Sequence, residues 1–284
     1  MSSRRRLGDR FFSGLCFVAF ALIVAPAVSV LISVFHQAAP SLTLSLLTKP
    51  TQADHGGLQN AILGTLLLLL GVLVVAGTVG VAAGVYLAEF ASPKVGGVLR
   101  FFSEVLAGIP SIVIGYVAFL SLVIGFHWGN SLLAGILALS VLVVPYIVKT
   151  TEVALSSVPS GLREASAGLG LSRGTSVGRI LLPTAVPGIV SGLIVAMAIS
   201  TGETAPLLFT VGFLDGKNPS FHLFNHAVPY LTDVTFNDIS QPGATAHQLA
   251  AAAGAATLVI LVILIIAGRT VSARSRRKTA RMDL

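Results

Sequence analysis

Long apolar runs alternate along this chain with short stretches that collect nearly all of its charge. The runs fall at 11–35, 58–90, 101–126, 132–155, 184–211 and 248–268. About 20 apolar residues in a helix are enough to cross the hydrocarbon of a bilayer, so each run predicts a spanning helix. A helix is the expected form because lipid offers nothing to satisfy an open backbone. The second run is longer than one crossing needs, which predicts tilt or extension past the membrane surface. The fourth nears its end at Lys149 and Glu152. Pro110, Pro145 and Pro206 lie inside apolar segments, where a missing amide bends or breaks a helix. Gly80 with Gly84, and Gly188 with Gly192, have the spacing that lets two helices approach closely, within the subunit or against a second one. The expected fold class is all-α, a polytopic membrane protein with six transmembrane helices.

Composition agrees. Of 284 residues, 54% are hydrophobic and 10% charged, and the mean hydropathy is +0.90. Soluble domains carry about 25% charged residues, so the bilayer must act as solvent for most of this surface. Six spans place both termini on one side. Arg4, Arg5, Arg6 and Arg10 precede the first span, and Arg269, Arg274, Arg276, Arg277, Lys278 and Arg281 follow the last. The loops after spans two and four add Lys94, Arg100, Lys149, Arg163, Arg173 and Arg179, leaving only Lys49 and Lys217 for the other side. The termini and the loop after span four are therefore expected to be cytoplasmic. The formal charge of +7 does not point to nucleic acid, because the basic residues are not interleaved with aromatics; a positive-inside signature explains it better, with membrane lipid as a partner. The arm "SSRRRLGD" could open a signal peptide, but the apolar run behind it is about twice the usual length, which predicts a retained span.

Candidate chemistry is sparse. Cys16 is the one cysteine, so neither an intramolecular disulfide nor a thiolate cluster can form. His222 and His226 in "SFHLFNHAVPYL" could share a helix face, yet no third ligand and no metalloprotease glutamate accompanies them, and no metal site is expected. "GFLDGKN" lacks the spacing and hydroxyl residue of a phosphate-binding loop, so the chain is not expected to be an ATPase, or an enzyme of any kind. Glu203 lies in the fifth apolar run with no basic residue within a turn. A carboxylate at that depth costs about 2.5–3.5 kcal/mol on insertion scales, so it is expected to pair with a cation on another subunit or be held by hydroxyls such as those of Thr201 and Thr204. Lys149 and Glu152, three apart, can pair locally. No linker, low-complexity block or repeat interrupts the chain, and a single domain over 1–284 is expected, its core at 59–268.

Between spans four and five lies "GLREASAGLGLSRGTSVGRILLP". Leu162, Ala165 and Leu169 follow a helical spacing, Ser160 is a credible N-cap, and Glu164 suits the positive end of a helix dipole. Gly168 and Gly170 favour a reversal. Ser172 can cap a second short helix through Arg179, with Pro183 marking re-entry into the membrane. By itself this is a helical hairpin outside the bilayer.

The hairpin resembles the EAA loop of ATP-binding-cassette importer permeases, EAAxxxG, nine residues, then IxLP. Glu164, Ala165, Ser166, Gly170, Ile180, Leu182 and Pro183 hold those positions, with Ser166 a small-for-small departure at the third. The resemblance implies a MetI-like permease fold whose coupling loop, at 156–183, docks in a groove of an ATPase subunit. ATP and magnesium would be bound by that partner, and no cofactor by this chain. "LAGIPSIVIG", "TGETAPLLFT" and "VPYIVKTTEVALSSVP" are similar to the PstA family of phosphate importer permeases, with Lys149 where many members have arginine. That likeness covers about 59–210. Many members carry an arginine four residues before the span-five glutamate; this chain has Ile199 there, which argues against an in-chain partner for Glu203. The resemblance implies a bacterial inner or plasma membrane protein forming a phosphate pathway with a sister permease. Two ATPase copies and an extracytoplasmic phosphate-binding protein would serve it. Glu203, Thr204, Lys149 and Glu152 are the candidates for pathway or gate. A molybdate or sulfate permease would share the loop; an ATP-independent channel or carrier would have no use for it.

Overall fold

The computed structural model describes residues 3–52, 55–213 and 216–280, most of them helical. Helix α1 (Ser3–Ala38) ends in a 3-10 turn at Ala39–Ser41. A short α2 (Leu44–Thr48) and an antiparallel pair, β1 (Thr51–Gln52) with β2 (His55–Gly56), lead into α3 (Gln59–Glu89). Thr51 faces Gly56 and Gln52 faces His55 in that pair. Next come α4 (Pro93–Ala107) and α5 (Ser111–Ala118), the latter continuing as a π-helical turn at Phe119–Gly125. Then follow α6 (Leu132–Ser156), α7 (Ser160–Gly168) and α8 (Arg173–Ser176). A π-helical turn at Val177–Leu181 joins α8 to α9 (Leu182–Gly202); α10 (Ala205–Thr210), α11 (Leu231–Asp238) and α12 (Ala244–Ala280) complete the chain.

Five of the six expected spans are each covered by one helix: Phe12–Ser41, Gln59–Glu89, Leu132–Ser156, Arg173–Gly202 and Ala244–Thr270. The expected span at 101–126 is instead two helices, α4 and α5, meeting at 97°. Pro110 is the cause. It has no amide for the helix and pushes Ile109 out of helical conformation, so α4 stops at Ala107 and α5 starts afresh at Ser111. The fifth span also ends early, at Gly202, before Pro206 in the first turn of α10. Pro145, by contrast, sits inside an unbroken α6.

Helix α6 is the centre of the bundle, with 67% of its apolar window buried. Both glycine pairs serve it. Gly80 and Gly84 of α3 meet Ile147 and Thr151, and Gly188 and Gly192 of α9 meet Ala154 and Thr150. Lipid is as apolar as leucine, so such seams hold by close packing rather than by transfer from water. The packing partner left open by spacing alone is thus within the chain for both pairs. Leu68, Val72, Leu139, Val143, Ile147, Met197 and Leu207 fill the middle of the bundle. Helix α1 stands apart: none of its apolar window is buried, and its Val34 and Ala38 join Leu249 and Ala252 of α12 near one end.

Among the described residues, charge is segregated along the bundle. Arg100, Arg163 and Arg173 lie with α7 at one end, here the hairpin end. The loops of Lys49 and Lys217 meet at the far end, where the Gly216 amide donates to the Thr51 carbonyl at 2.8 Å. Also at the far end, Thr65 ties α11 to α3 by accepting from the Leu231 amide at 3.0 Å and donating to the Ala61 carbonyl at 2.9 Å. Within α11, Asp233 is buried and accepts from Asn237 at 2.8 Å. Burial lifts the Asp233 carboxyl above the usual carboxylate range, partly opposed by that hydrogen bond. A carboxyl held above its unfolded value adds stability at low pH and loses it as pH rises through the folded value. Asp233→Asn, which cannot charge, is therefore expected to melt above the native protein at neutral pH, the gap closing toward acid. Thermal unfolding in detergent at a series of pH values reads this directly; a gap independent of pH would contradict it.

Candidate functional site

The hairpin forms outside the packed spans as expected, with two corrections. Ser160 is the first residue of α7 and makes no capping bond; Pro159, extended and fixed in φ, is the cap residue. The second short helix does not stop at Arg179. It runs from α8 through the π turn into α9 without a break, so Pro183 lies just after the π turn inside one continuous helix rather than at a fresh start. Gly170 makes the reversal at φ +71°, and the Ser172 hydroxyl accepts from the Thr175 amide at 3.3 Å.

Exposure divides the motif in two. Glu164, Ala165 and Gly170 are exposed, and Leu169 beside them is 76% exposed. Ser166 is buried between the two arms. Its hydroxyl donates to the Arg163 carbonyl at 2.8 Å and lies 2.7 Å from the Ser176 hydroxyl, which can donate in turn. The departure from alanine at this position therefore adds a bond across the hairpin, beyond keeping its contour. Ile180 and Leu182 are half-buried against Leu155, Val158, Val177 and Leu181, which root the second arm in the bundle. Arg163 anchors the first arm. Its Nη1 lies 2.7 Å from both Glu89 carboxylate oxygens, and its Nη2 donates to the Leu155 carbonyl at 2.8 Å. Counting basic residues by side finds Arg163 but not its role. An acid ending an apolar run at Glu89 is the signal that it needs a partner.

Lys149 and Glu152 do not pair. Glu152 accepts from Arg100 Nε at 2.7 Å, while Lys149 is exposed and has no ion pair among the described residues. The reason is geometric: α4 lies against α6, and Arg100 reaches Glu152 while a second nitrogen donates to the Leu87 carbonyl at 3.4 Å. Arg100, Lys149, Glu152 and Glu104 line one cavity of about 180 Å3 with Ser103 and Tyr146. On its other side Lys149 borders a groove of about 640 Å3 between α6 and α9, with Thr150, Ser157, Thr184 and Ser191 along it.

Glu203 sits elsewhere. It is the residue at which the fifth span breaks, extended at φ −74°, ψ 130° between α9 and α10. Its carbonyl accepts from the Thr232 hydroxyl at 3.0 Å, fixing the break to α11. Its half-buried carboxylate makes no hydrogen bond or ion pair among the described residues. Hydroxyls do not hold it: Thr201 donates to the Met197 carbonyl at 2.7 Å and Ser200 to Ala196 at 3.0 Å. Thr204 contributes its carbonyl to the first turn of α10. Glu203 shares a small cavity with Leu139 of α6. Leu139 and Lys149 are separated by about 15 Å of helix rise, so the four pathway candidates form two sites rather than one.

The two histidines of the far-end loop are not on a helix. Their rings stack with centroids 4.6 Å apart, and His226 Nδ1 lies 3.1 Å from the Phe224 carbonyl.

Comparison with known proteins places the arrangement. Residues 80–278 match the binding-protein-dependent transport system inner membrane component family. Phosphate transport system permease protein PstA 2 of Mycobacterium bovis is 45% identical over 275 residues, 97% of this chain and 91% of that protein. In structure, a chain of a bacterial alginate ABC transporter aligns with a TM-score of 0.63 at 16% identity, covering 95% of this chain and 96% of the other. A chain of the inward-facing MetNI methionine ABC transporter aligns at 0.57 and 19% identity, covering 77% and 94%.

Proposed function

The chain belongs to the binding-protein-dependent transport system inner membrane components, and on that premise we propose that it is the permease subunit of an ATP-driven phosphate importer. The observation that carries the importer reading is the hairpin: Glu164, Ala165, Leu169 and Gly170 presented outward from a rooted base. An ATPase subunit, supplied in trans with its ATP and magnesium, would seat on that face. Likeness to the phosphate permeases supports the anion. A sister permease would complete the pathway, two ATPase copies would drive it, and an extracytoplasmic phosphate-binding protein would load it. Segregation of the arginines supports placing the hairpin end and both termini in the cytoplasm. The domain is then one unit over 1–284, with 156–183 as its coupling loop.

Within this reading the exposed Lys149 is the cation that an anion leaving the pathway would meet. The unpartnered Glu203 is a gate residue, repelling bare phosphate and paired with a cation of the sister subunit. Thr204 belongs with it at the break. Labelled phosphate uptake at low micromolar concentration tests the assignment, with sulfate and molybdate beside it and ATP depleted in a parallel sample. A strain lacking this chain is expected to lose ATP-dependent phosphate uptake alone, by roughly tenfold or more, and to regain it on restoration. A deficit confined to another oxyanion would replace the substrate; uptake indifferent to ATP would remove the importer.

A further inference from the structure

Three guanidinium groups from three separate helices converge on the last turn of α3. Arg163 of α7 holds the Glu89 carboxylate, which is 5% exposed. Arg100 of α4 donates to the Leu87 carbonyl and, with its Nε, holds Glu152 of α6. Arg173 of α8 lies over the Phe90 ring at 5.7 Å. The negative end of a helix dipole attracts cations, but attraction alone does not require that each cation belong to a different helix.

The order of the connections is informative. Arg163 immediately precedes Glu164 on the exposed face of the hairpin. Its guanidinium spans α3 through Glu89 and α6 through Leu155. The same turn of α3 receives Arg100, whose other partner, Glu152, shares a cavity with Lys149. Displacing α7 must either carry Glu89 with it or strand a buried carboxylate, and stranding is the costly course. Helix α4 can follow, since it joins α5 through a 97° bend and turns Phe101, Phe102 and Leu106 outward.

We propose that Glu89, Arg163, Arg100 and Glu152 are positioning residues that carry movement of the hairpin into the α4–α6 cavity beside Lys149. This rests on the hairpin being the ATPase docking element. The test uses the whole transporter in membranes, with Cys16→Ser and cysteines at Ser103→Cys and Tyr146→Cys, two positions lining that cavity. Cross-linking with a short bifunctional maleimide is read with and without ATP plus vanadate, and phosphate uptake is measured in parallel. In this background the cross-link is expected to change by roughly threefold with nucleotide. Adding Glu89→Gln should abolish that response and lower uptake by roughly tenfold, while the ATPase still co-purifies. Arg163→Lys keeps the charge but lacks the fork that holds Glu89 and Leu155 together, and should fall between.

A full nucleotide response in Glu89→Gln would overturn the linkage, as would no response in the parent. If Glu89→Gln does not assemble, Arg163→Lys decides, and an unchanged response in it overturns the linkage. A native response without phosphate uptake would support the linkage and overturn the phosphate assignment.

Discussion

Glu203→Gln is expected to cut ATP-dependent phosphate uptake by roughly tenfold or more, about 1.4 kcal/mol or more on the rate-limiting barrier, while the chain accumulates normally. Glutamine keeps the size of the side chain and leaves the Glu203 carbonyl free to accept from Thr232, so the break between α9 and α10 keeps its shape. What is removed is the charge. Among the described residues the carboxylate has no partner for the variant to strand, so accumulation of the variant should match the native level. The expected pair of results, intact assembly and lost uptake, would give the charge a role in the transport cycle. Native uptake by the variant would withdraw Glu203 from the pathway. A fall in both together would make it a structural residue instead. Restoration of uptake by a compensating change at a basic residue of the sister permease would identify the missing partner.

Gly84→Leu should be severely damaging, reducing the chain in membranes to roughly a tenth or less of its native level. A Cβ at Gly84 would come within 2.6 Å of the Thr151 Cβ and 2.8 Å of the Val148 carbonyl oxygen. Neither can swing aside, because one belongs to a β-branched side chain and the other to the backbone. The α3–α6 seam must open instead. Overpacking a well-filled site costs about 1–3 kcal/mol and sometimes more, and here it falls on the most enclosed helix. Gly97→Leu is the control: a Cβ there meets nothing within 4 Å, and accumulation should not change. Immunoblotting of membranes compares the two. Equal levels would mean that the seam is not what holds α3 to α6.

Period and composition were sufficient for the membrane class, for five single-helix spans, and for a turn at Gly170. Each depends on properties local to a stretch of chain: apolar length, or a backbone conformation that glycine tolerates. The hairpin was legible for the same reason, since its spaced residues are contiguous and its cap at Ser172 acts within one turn.

What the tertiary structure decided is which residues, remote in the chain, come together. Spacing offered Lys149 to Glu152, yet Arg100 takes that carboxylate from 52 positions away because α4 packs against α6. Glu89 and Arg163, 74 positions apart, look like ordinary flanking charges until the hairpin folds back onto α3. The glycine pairs signal close approach without naming the partner, and only the packed bundle shows that both serve α6. Hydropathy saw one span at 101–126, because an apolar average is blind to direction while Pro110 turns the chain by 97°. Whether a helix is apolar is a property of its residues; where it goes after a break, and which buried charge it neutralises there, is settled by the surfaces that meet it.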